Sequence, residues 1–253
     1  MKFFYLLLAL LVTAPAFGQL PVNPESAAKA KELFDRAVQA LGGDAFLQVK
    51  TAQYGGRVYG FRRGDLSGLA QVVQYVRYPD QSREEYGEKK EEIHITNGDK
   101  GWMIDINGVH PVPEEEMKSR RESRSMRAFY VLRYRLGEEG SIVEYVDRDL
   151  WENREVDVVR FVDKDNNVLQ FALDRSTALP ARTTWVHRDP MTRERIEEVE
   201  TFGNYFTRNG VATPRRTVRL RNGTRVFEAV IQEAHFNIPH AESLFQPPPG
   251  EPK

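Results

Sequence analysis

The side chains most able to move a proton or hold a metal near neutral pH are five histidines: His94, His110, His187, His235 and His240. No two stand at the i, i+4 spacing that puts both on one helix face, and no His-Glu-x-x-His occurs. His94, His187 and His235 fall in strand-like stretches, where a histidine is ordinarily a structural residue. A zinc site assembled across strands would leave no local trace in the sequence. Serine chemistry fares no better, since no Gly-x-Ser-x-Gly occurs and Ser176, in Asp174-Arg175-Ser176-Thr177, reads as a turn. The carboxylate doublets Glu138-Glu139 and Glu197-Glu198 cannot pair as acid and base along a strand, because neighbours there point to opposite faces. Asp163-x-Asp165-x-Asn167 opens like a calcium loop, but Val168 stands where the loop's sixth position needs glycine, so a hairpin turn is expected. There is no P-loop and no Gly-x-Gly-x-x-Gly. The chain has no cysteine, which removes disulfides, thiolate nucleophiles and Cys-ligated zinc or iron–sulfur centres. The expected catalytic set is empty, and no metal or cofactor is called for.

Charge argues against nucleic acid. The 253 residues carry 36 Lys and Arg against 37 Asp and Glu, a formal charge of −1. The basic stretch Arg215-Arg216-Thr217-Val218-Arg219-Leu220-Arg221 splits by alternation, with Arg216 beside Val218 and Leu220 and the other three arginines opposite. With glutamates nearby, those three predict a cross-strand ionic face rather than a phosphate track.

The elements that would position any site begin with an address. Met1 and Lys2 precede the apolar run Phe3–Val12, broken by Thr13-Ala14-Pro15 and followed by Ala16-Phe17-Gly18. This is the anatomy of a signal peptide over residues 1–18, too short to span a bilayer. Residues 19–245 then read as one domain, with a Pro-rich tail at 246–253. Asn23-Pro24-Glu25-Ser26 opens a helix whose stripe is Ala27, Ala30, Phe34, Ala37, Val38 and Leu41, and Gly42-Gly43 ends it. A short turn at 44–49 leads on. From Thr51 the period becomes two, predicting strands near 51–61, 68–78, 83–87, 91–97 and 101–106, then near 141–148, 154–163, 167–173, 181–187, 196–206, 213–221 and 225–236. Asn97-Gly98-Asp99-Lys100, Asp165-Asn166-Asn167, Asp189-Pro190 and Asn222-Gly223 punctuate them. The interruption at 113–136 begins with Glu114-Glu115-Glu116 and ends rich in arginine, a charge order that suits a helix dipole. Its apolar residues come late, at Met126, Phe129, Tyr130, Leu132 and Leu136, so the first half is expected to face solvent or move.

These elements define a mainly β, α+β chain built on an antiparallel sheet large enough to curl. Trp102, Ile104 and Ile106 share a side of their strand, as do Leu169, Phe171 and Leu173, and Phe227, Ala229 and Ile231. Charged residues opposite them predict one covered apolar face and one wet face.

Three stretches give this pattern a counterpart. They are Val76-Arg77-Tyr78-Pro79 with Arg83-Glu84-Glu85; Ile95-Thr96-Asn97-Gly98-Asp99-Lys100-Gly101-Trp102; and Phe236-Asn237-Ile238 through Leu244-Phe245-Gln246-Pro247-Pro248-Pro249-Gly250. Together with Leu179-Pro180, Asp189-Pro190 and Glu200-Thr201-Phe202-Gly203-Asn204-Tyr205, their order resembles the periplasmic outer-membrane lipoprotein carrier family and its lipoprotein-sorting-like relatives. The resemblance spans nearly all of the chain after the leader.

The resemblance implies a strongly curved, unclosed antiparallel β-barrel with an N-terminal helix and an inserted helical lid. It implies a non-catalytic periplasmic carrier or binding protein, secreted if the source has one membrane. The cargo would be acyl chains of lipoproteins or lipids in an apolar concavity, with a donor and an acceptor in the envelope membrane. An acyl chain gains ~0.8 kcal/mol per CH₂ removed from water. Trp102, Ile104, Phe171, Trp185 and Phe202 would surround that concavity, with the Met126–Leu136 stretch, including Phe129 and Leu132, as lid. The plain alternative is that these side chains form core. In the carrier an arginine directly before the equivalent proline latches the lid; here Tyr78 holds that place and Arg77 would face the other way. Two rivals accompany this reading: an envelope lipid-sensing or protein-binding regulatory module on the same fold, and a hydrolase whose site assembles across strands.

Overall fold

The computed structural model describes residues 23–189 and 192–248. The leader read over residues 1–18 and the end of the tail from 249 lie outside them. Helix α1 spans Pro24–Leu41, with the Asn23 side chain accepting the Glu25 N–H at 2.9 Å. Pro24 opens the first turn, where an N–H would have no partner within the helix. The buried stripe is Ala30, Leu33, Phe34, Ala37, Val38 and Leu41; the Gly42 and Gly43 amides cap the helix on Gln39 and Val38. A single turn, α2 (Asp44–Leu47), follows.

Two antiparallel meanders make the sheet. The first is β1 (Thr51–Arg62), β2 (Asp65–Arg77), β3 (Gln81–Tyr86), β4 (Glu92–Asn97), β5 (Lys100–Asp105) and β6 (Gly108–Pro111). The second is β7 (Ile142–Trp151), β8 (Arg154–Val162), β9 (Val168–Asp174), β10 (Pro180–Arg188), β11 (Arg195–Arg208), β12 (Val211–Arg221) and β13 (Thr224–Phe236). Pairing of β1 with β13 joins them into one sheet of order β6-β5-β4-β3-β2-β1-β13-β12-β11-β10-β9-β8-β7. Edge strands β6 and β7 do not pair, so the barrel is not closed. The predicted strands are all present; β6, a four-residue strand after the Asp105–Gly108 turn, is an addition the alternation does not reveal.

Bulges bend the sheet. One lies at Gly55/Gly56 against β13, where a Cβ on Gly56 would sit 2.2 Å from the Val230 carbonyl oxygen, so only glycine lets the strands close there.

The chain between the two edges, residues 112–141, crosses the sheet as a flap. Helix α3 (Glu114–Ser125) is followed by the short turn α4 (Ala128–Tyr130) and a π-helical turn at Val131–Arg135. The first half, expected to face solvent or move, buries one residue. Met117 is 1% exposed and packs onto Gly101 of β5, where a Cβ would lie 2.5 Å from its sulfur. The second half buries Met126, Ala128, Val131 and Leu132 with α1 and the sheet in a single core. Arg135 ties the end of the flap to the β8–β9 hairpin through Asp163, at 3.2 Å, with both groups buried.

Candidate functional site

The sheet face under α1 and the flap, called the inner face here, is where side chains from distant strands converge. Cross-strand partners on it read in rows. One row runs Phe171, Thr183, Glu200, Arg219, Phe227; the next runs Leu169, Trp185, Glu198, Arg221. Phe171 meets Phe34 of α1 edge-on, with ring centroids 5.1 Å apart. Phe202 lies beneath Phe129 of the flap at 5.2 Å. The inner face is therefore apolar under α1 and ionic beside it.

Next to the packed core the flap stands off the sheet and leaves a cavity of about 900 Å³. Its walls come from β1–β3 on one side and β10–β13 on the other. From β3 to β10 there are six strand spacings of ~4.8 Å, or about 29 Å on a flat sheet. A single cavity of this size touching both sides requires a strongly curled sheet.

The cavity wall is mixed rather than apolar. Trp185, Phe129, Phe227 and Val76 supply hydrocarbon, and Glu198, Arg219 and Arg221 of the two rows reach the same space. Arg219 donates through Nη2 to Glu200 Oε1 at 3.1 Å, and Arg127 of the flap grips the same oxygen. Arg221 bonds Glu198 at 3.0 Å. Burial alone would raise the Glu200 carboxyl, but Arg127 and Arg219 overcome it and hold the pKa below its ordinary value. Burial, and then repulsion from Arg127, push Arg219 down despite its pairing.

The opposite wall is tyrosine-rich. Tyr54 and Tyr78 share one hydroxyl–hydroxyl hydrogen bond at 3.3 Å. The Arg133 guanidinium lies 4.3 Å from the Tyr78 ring centre and 4.3 Å from that of Phe46, and its Nε donates to the Phe46 carbonyl at 3.1 Å. Burial, with Tyr78 alongside, pushes the Tyr54 phenol well above its ordinary value, so it is a neutral donor or acceptor. Arg77 faces the other way, bonded to Glu242 and to the His240 carbonyl at 2.9 Å. The strand alternation at Arg77-Tyr78 thus sorts the two residues as the sequence predicts.

The residues predicted to surround the concavity are split. Trp185 and Phe129 line the cavity. Phe171, Phe202 and Leu132 lie beside it in the core. Trp102 and Ile104 are placed elsewhere. Gly101 and its partner Thr96 face Met117 of the flap, so Trp102 and Ile104, with partners Ile95 and Ile93, face the outer side. That side is covered by a 3₁₀ turn, Glu242–Phe245, whose Phe245 is fully buried. Ile106 lies beyond the end of β5 and is 96% exposed.

The arginine–glutamate rows were legible as cross-strand pairs but not as the wall of a cavity, because the flap that covers them is remote in sequence. The Tyr54–Tyr78–Arg133 group left no sequence signal. Among the described residues no group of three His, Cys, Asp or Glu side chains is arranged to hold a metal. Asp163 accepts from the Asp165 and Asn167 amides at 3.0 and 2.8 Å and from Arg135, so its carboxylate closes a turn. Among the described residues no helix is long and apolar enough to cross a membrane.

No family model matches the sequence, and no curated protein matches it. Solved structures do. A DUF1329 family protein from Desulfovibrio piger superposes with a TM-score of 0.61 at 11% identity, over 86% of this chain and 97% of that one. A putative outer membrane lipoprotein-sorting protein domain from Vibrio parahaemolyticus gives 0.55 at 13%, over 87% and 97%. A LolA superfamily protein from Nitrosomonas europaea gives 0.54 at 8%, over 86% and 97%. The chain is similar to these proteins in fold, the one that the sequence resemblance implies.

Proposed function

We propose that this chain is a non-catalytic carrier or binding protein for an acylated or otherwise lipidic molecule, working in the compartment to which its leader directs it. The observation that carries this reading is the cavity of about 900 Å³ between the curled sheet and a flap anchored at both ends. Trp185, Phe129, Phe227 and Val76 give it a hydrocarbon strip. A chain of ten or more methylenes taken from water into such a strip gains on the order of 8 kcal/mol before ordering costs. The names of two structures of the same fold, a lipoprotein-sorting domain and a LolA superfamily protein, support the choice of cargo. The ligand set is Trp185 and Phe129 in direct contact, with Phe171, Phe202 and Leu132 as the packed floor beneath; Trp102 and Ile104 are left out of it.

The test is native mass spectrometry of the exported chain purified without detergent. A lipid-sized adduct, extractable with solvent and lost in Phe129→Asp with the fold retained, is the expected result. A bare mass for the wild type, together with no uptake of a fluorescent fatty acid, would overturn the proposal.

A further inference from the structure

An apolar tail does not account for the donors on the cavity wall. Of the arginines there, Arg219, Arg127 and Arg221 are matched to Glu200 and Glu198, Arg120 to Glu116, and Arg188 donates to the Arg193 carbonyl at 3.1 Å. Among the described residues Arg133 and Arg124, both on the flap, have no carboxylate within ion-pair distance. Arg133 donates Nε to the Phe46 carbonyl and has the Tyr134 hydroxyl as a second, neutral partner, and Arg124 makes one long contact, 3.4 Å, to the Asp80 carbonyl. Trp185, which is 9% exposed, has an indole N–H with no partner. The Tyr54–Tyr78 bond uses one hydroxyl hydrogen of two, leaving one O–H to donate.

Fewer acceptors are open; one is His187 Nε2, buried on the same wall without a hydrogen-bond partner. Glu84 takes Gln74 Nε2 at 2.8 Å and the Tyr86 hydroxyl at 2.6 Å, and the remaining carboxylates of the wall are Glu122, which is exposed, and Asp80 and Asp189, which belong to turns. Guanidinium and indole N–H groups only donate. Open donors beside the flap cations Arg124 and Arg133 fit an oxygen-rich anion, and guanidinium pairs with phosphate or carboxylate through parallel N–H···O bonds.

We propose that the cavity holds the anionic headgroup of its amphiphile, a phosphate or carboxylate, between flap residues Arg124 and Arg133 and the wall formed by Tyr54, Tyr78 and Trp185. The acyl chain then lies along Phe129, Phe227 and Val76. This inference rests on the lipid-binding reading above and adds the chemical class of the head. A cavity of about 900 Å³ has room for a phosphate group and part of a chain, but not for both chains of a membrane phospholipid.

The experiment is calorimetric titration of the full chain, below micelle concentrations, with three probes. These are 1-palmitoyl-lysophosphatidylglycerol, the neutral 1-palmitoylglycerol with the same chain, and glycerol phosphate with no chain. The anionic lipid should bind at least tenfold tighter than the neutral one. That gap should close to within threefold in Arg133→Gln and, independently, in Arg124→Gln, while neutral-lipid affinity is unchanged. Equal affinity of the two lipids, or a gap that survives both substitutions, would overturn the headgroup assignment and leave the lipid cavity standing. Glycerol phosphate binding as tightly as the lipid would reassign the site to a free phosphate compound. Failure of both lipids to bind would remove the lipid reading itself. The Arg124 side chain is held by one long bond, to the Asp80 carbonyl, so its variant keeps the test open should Arg133→Gln fail to fold.

Discussion

Arg219 of β12 and Arg127 of the flap share one oxygen of Glu200, so a single buried carboxylate on β11 holds together the sheet face and the segment that crosses it. Replacing Glu200 by Gln leaves two guanidinium groups facing each other with only Glu198, 3.9 Å from Arg127, as counter-charge, at a site where removing one partner of a buried pair costs about 3–5 kcal/mol. Urea unfolding should shift accordingly. Arg127→Ala should do something different, because Arg219 still satisfies Glu200 and the Arg127 side chain is partly exposed. Global stability should change by less than about 1 kcal/mol. Amide exchange over residues 114–127 should accelerate at least tenfold. Unchanged exchange there would show that the ion pair does not fasten the flap.

Acid sensitivity follows from the same carboxylate. Burial would raise the Glu200 pKa, but the two arginines bring it below its ordinary value in the folded chain. Burial would raise the Asp163 carboxyl as well, but hydrogen bonds from Asn167 and Arg135 more than offset it and hold that pKa below its ordinary value. A depressed folded pKa contributes stability that is fully present above the unfolded value, about 4 for these groups, and is lost as pH falls through the folded value. Unfolding free energy should therefore be flat with respect to these groups from pH 5 to 7 and drop below about pH 4. Asp163→Asn should flatten that acid limb. An acid limb identical to wild type would contradict the assignment.

The period-two alternation announced twelve of the thirteen strands and most turns, because strand faces and turn residues are local chemistry. Which face is inner is not local. Near Trp102 both faces of the sheet are covered, one by Met117 of the flap and the other by Phe245 from the far end of the chain, so alternation there does not select the cavity side. The rows Glu198–Arg221 and Glu200–Arg219 have the composition of a wet face, and only the crossing of residues 112–141 puts Glu198, Arg219 and Arg221 in the wall of a cavity. The missed strand β6 is four residues long, too short for a period to show.

Arg135 and Asp163 provide a check on how the flap's far end is held. Asp163→Ala removes the partner of a buried guanidinium and two amide contacts that close the β8–β9 turn, and should cost about 3–5 kcal/mol. The pair Arg135→Met with Asp163→Asn keeps the turn contacts and replaces the ion pair by an apolar stem. It should recover at least half of that loss in denaturant unfolding. A double variant as unstable as Asp163→Ala would mean that the turn, rather than the ion pair, carries the cost.

Phe171 separates packing from binding. It is fully buried and meets Phe34 edge-on, so Phe171→Ala should destabilise the chain by about 3–5 kcal/mol, through the cavity left under α1. Because Phe171 does not line the cavity, the ratio of anionic to neutral lipid affinity should be unchanged where the variant remains folded. A change in that ratio without loss of stability would place Phe171 against the ligand instead.

Trp185 gives an optical test. The chain has three tryptophans, and of these Trp185 alone lines the cavity; Trp102 faces the outer side and Trp151 packs on a separate small cluster with Val156, Val158, Ala172 and Ala181. A ligand that displaces water from the cavity changes the surroundings of one indole only. Adding lysophosphatidylglycerol should shift or quench the tryptophan emission of the wild type and of Trp102→Phe and Trp151→Phe to a similar degree, and leave that of Trp185→Phe unmoved.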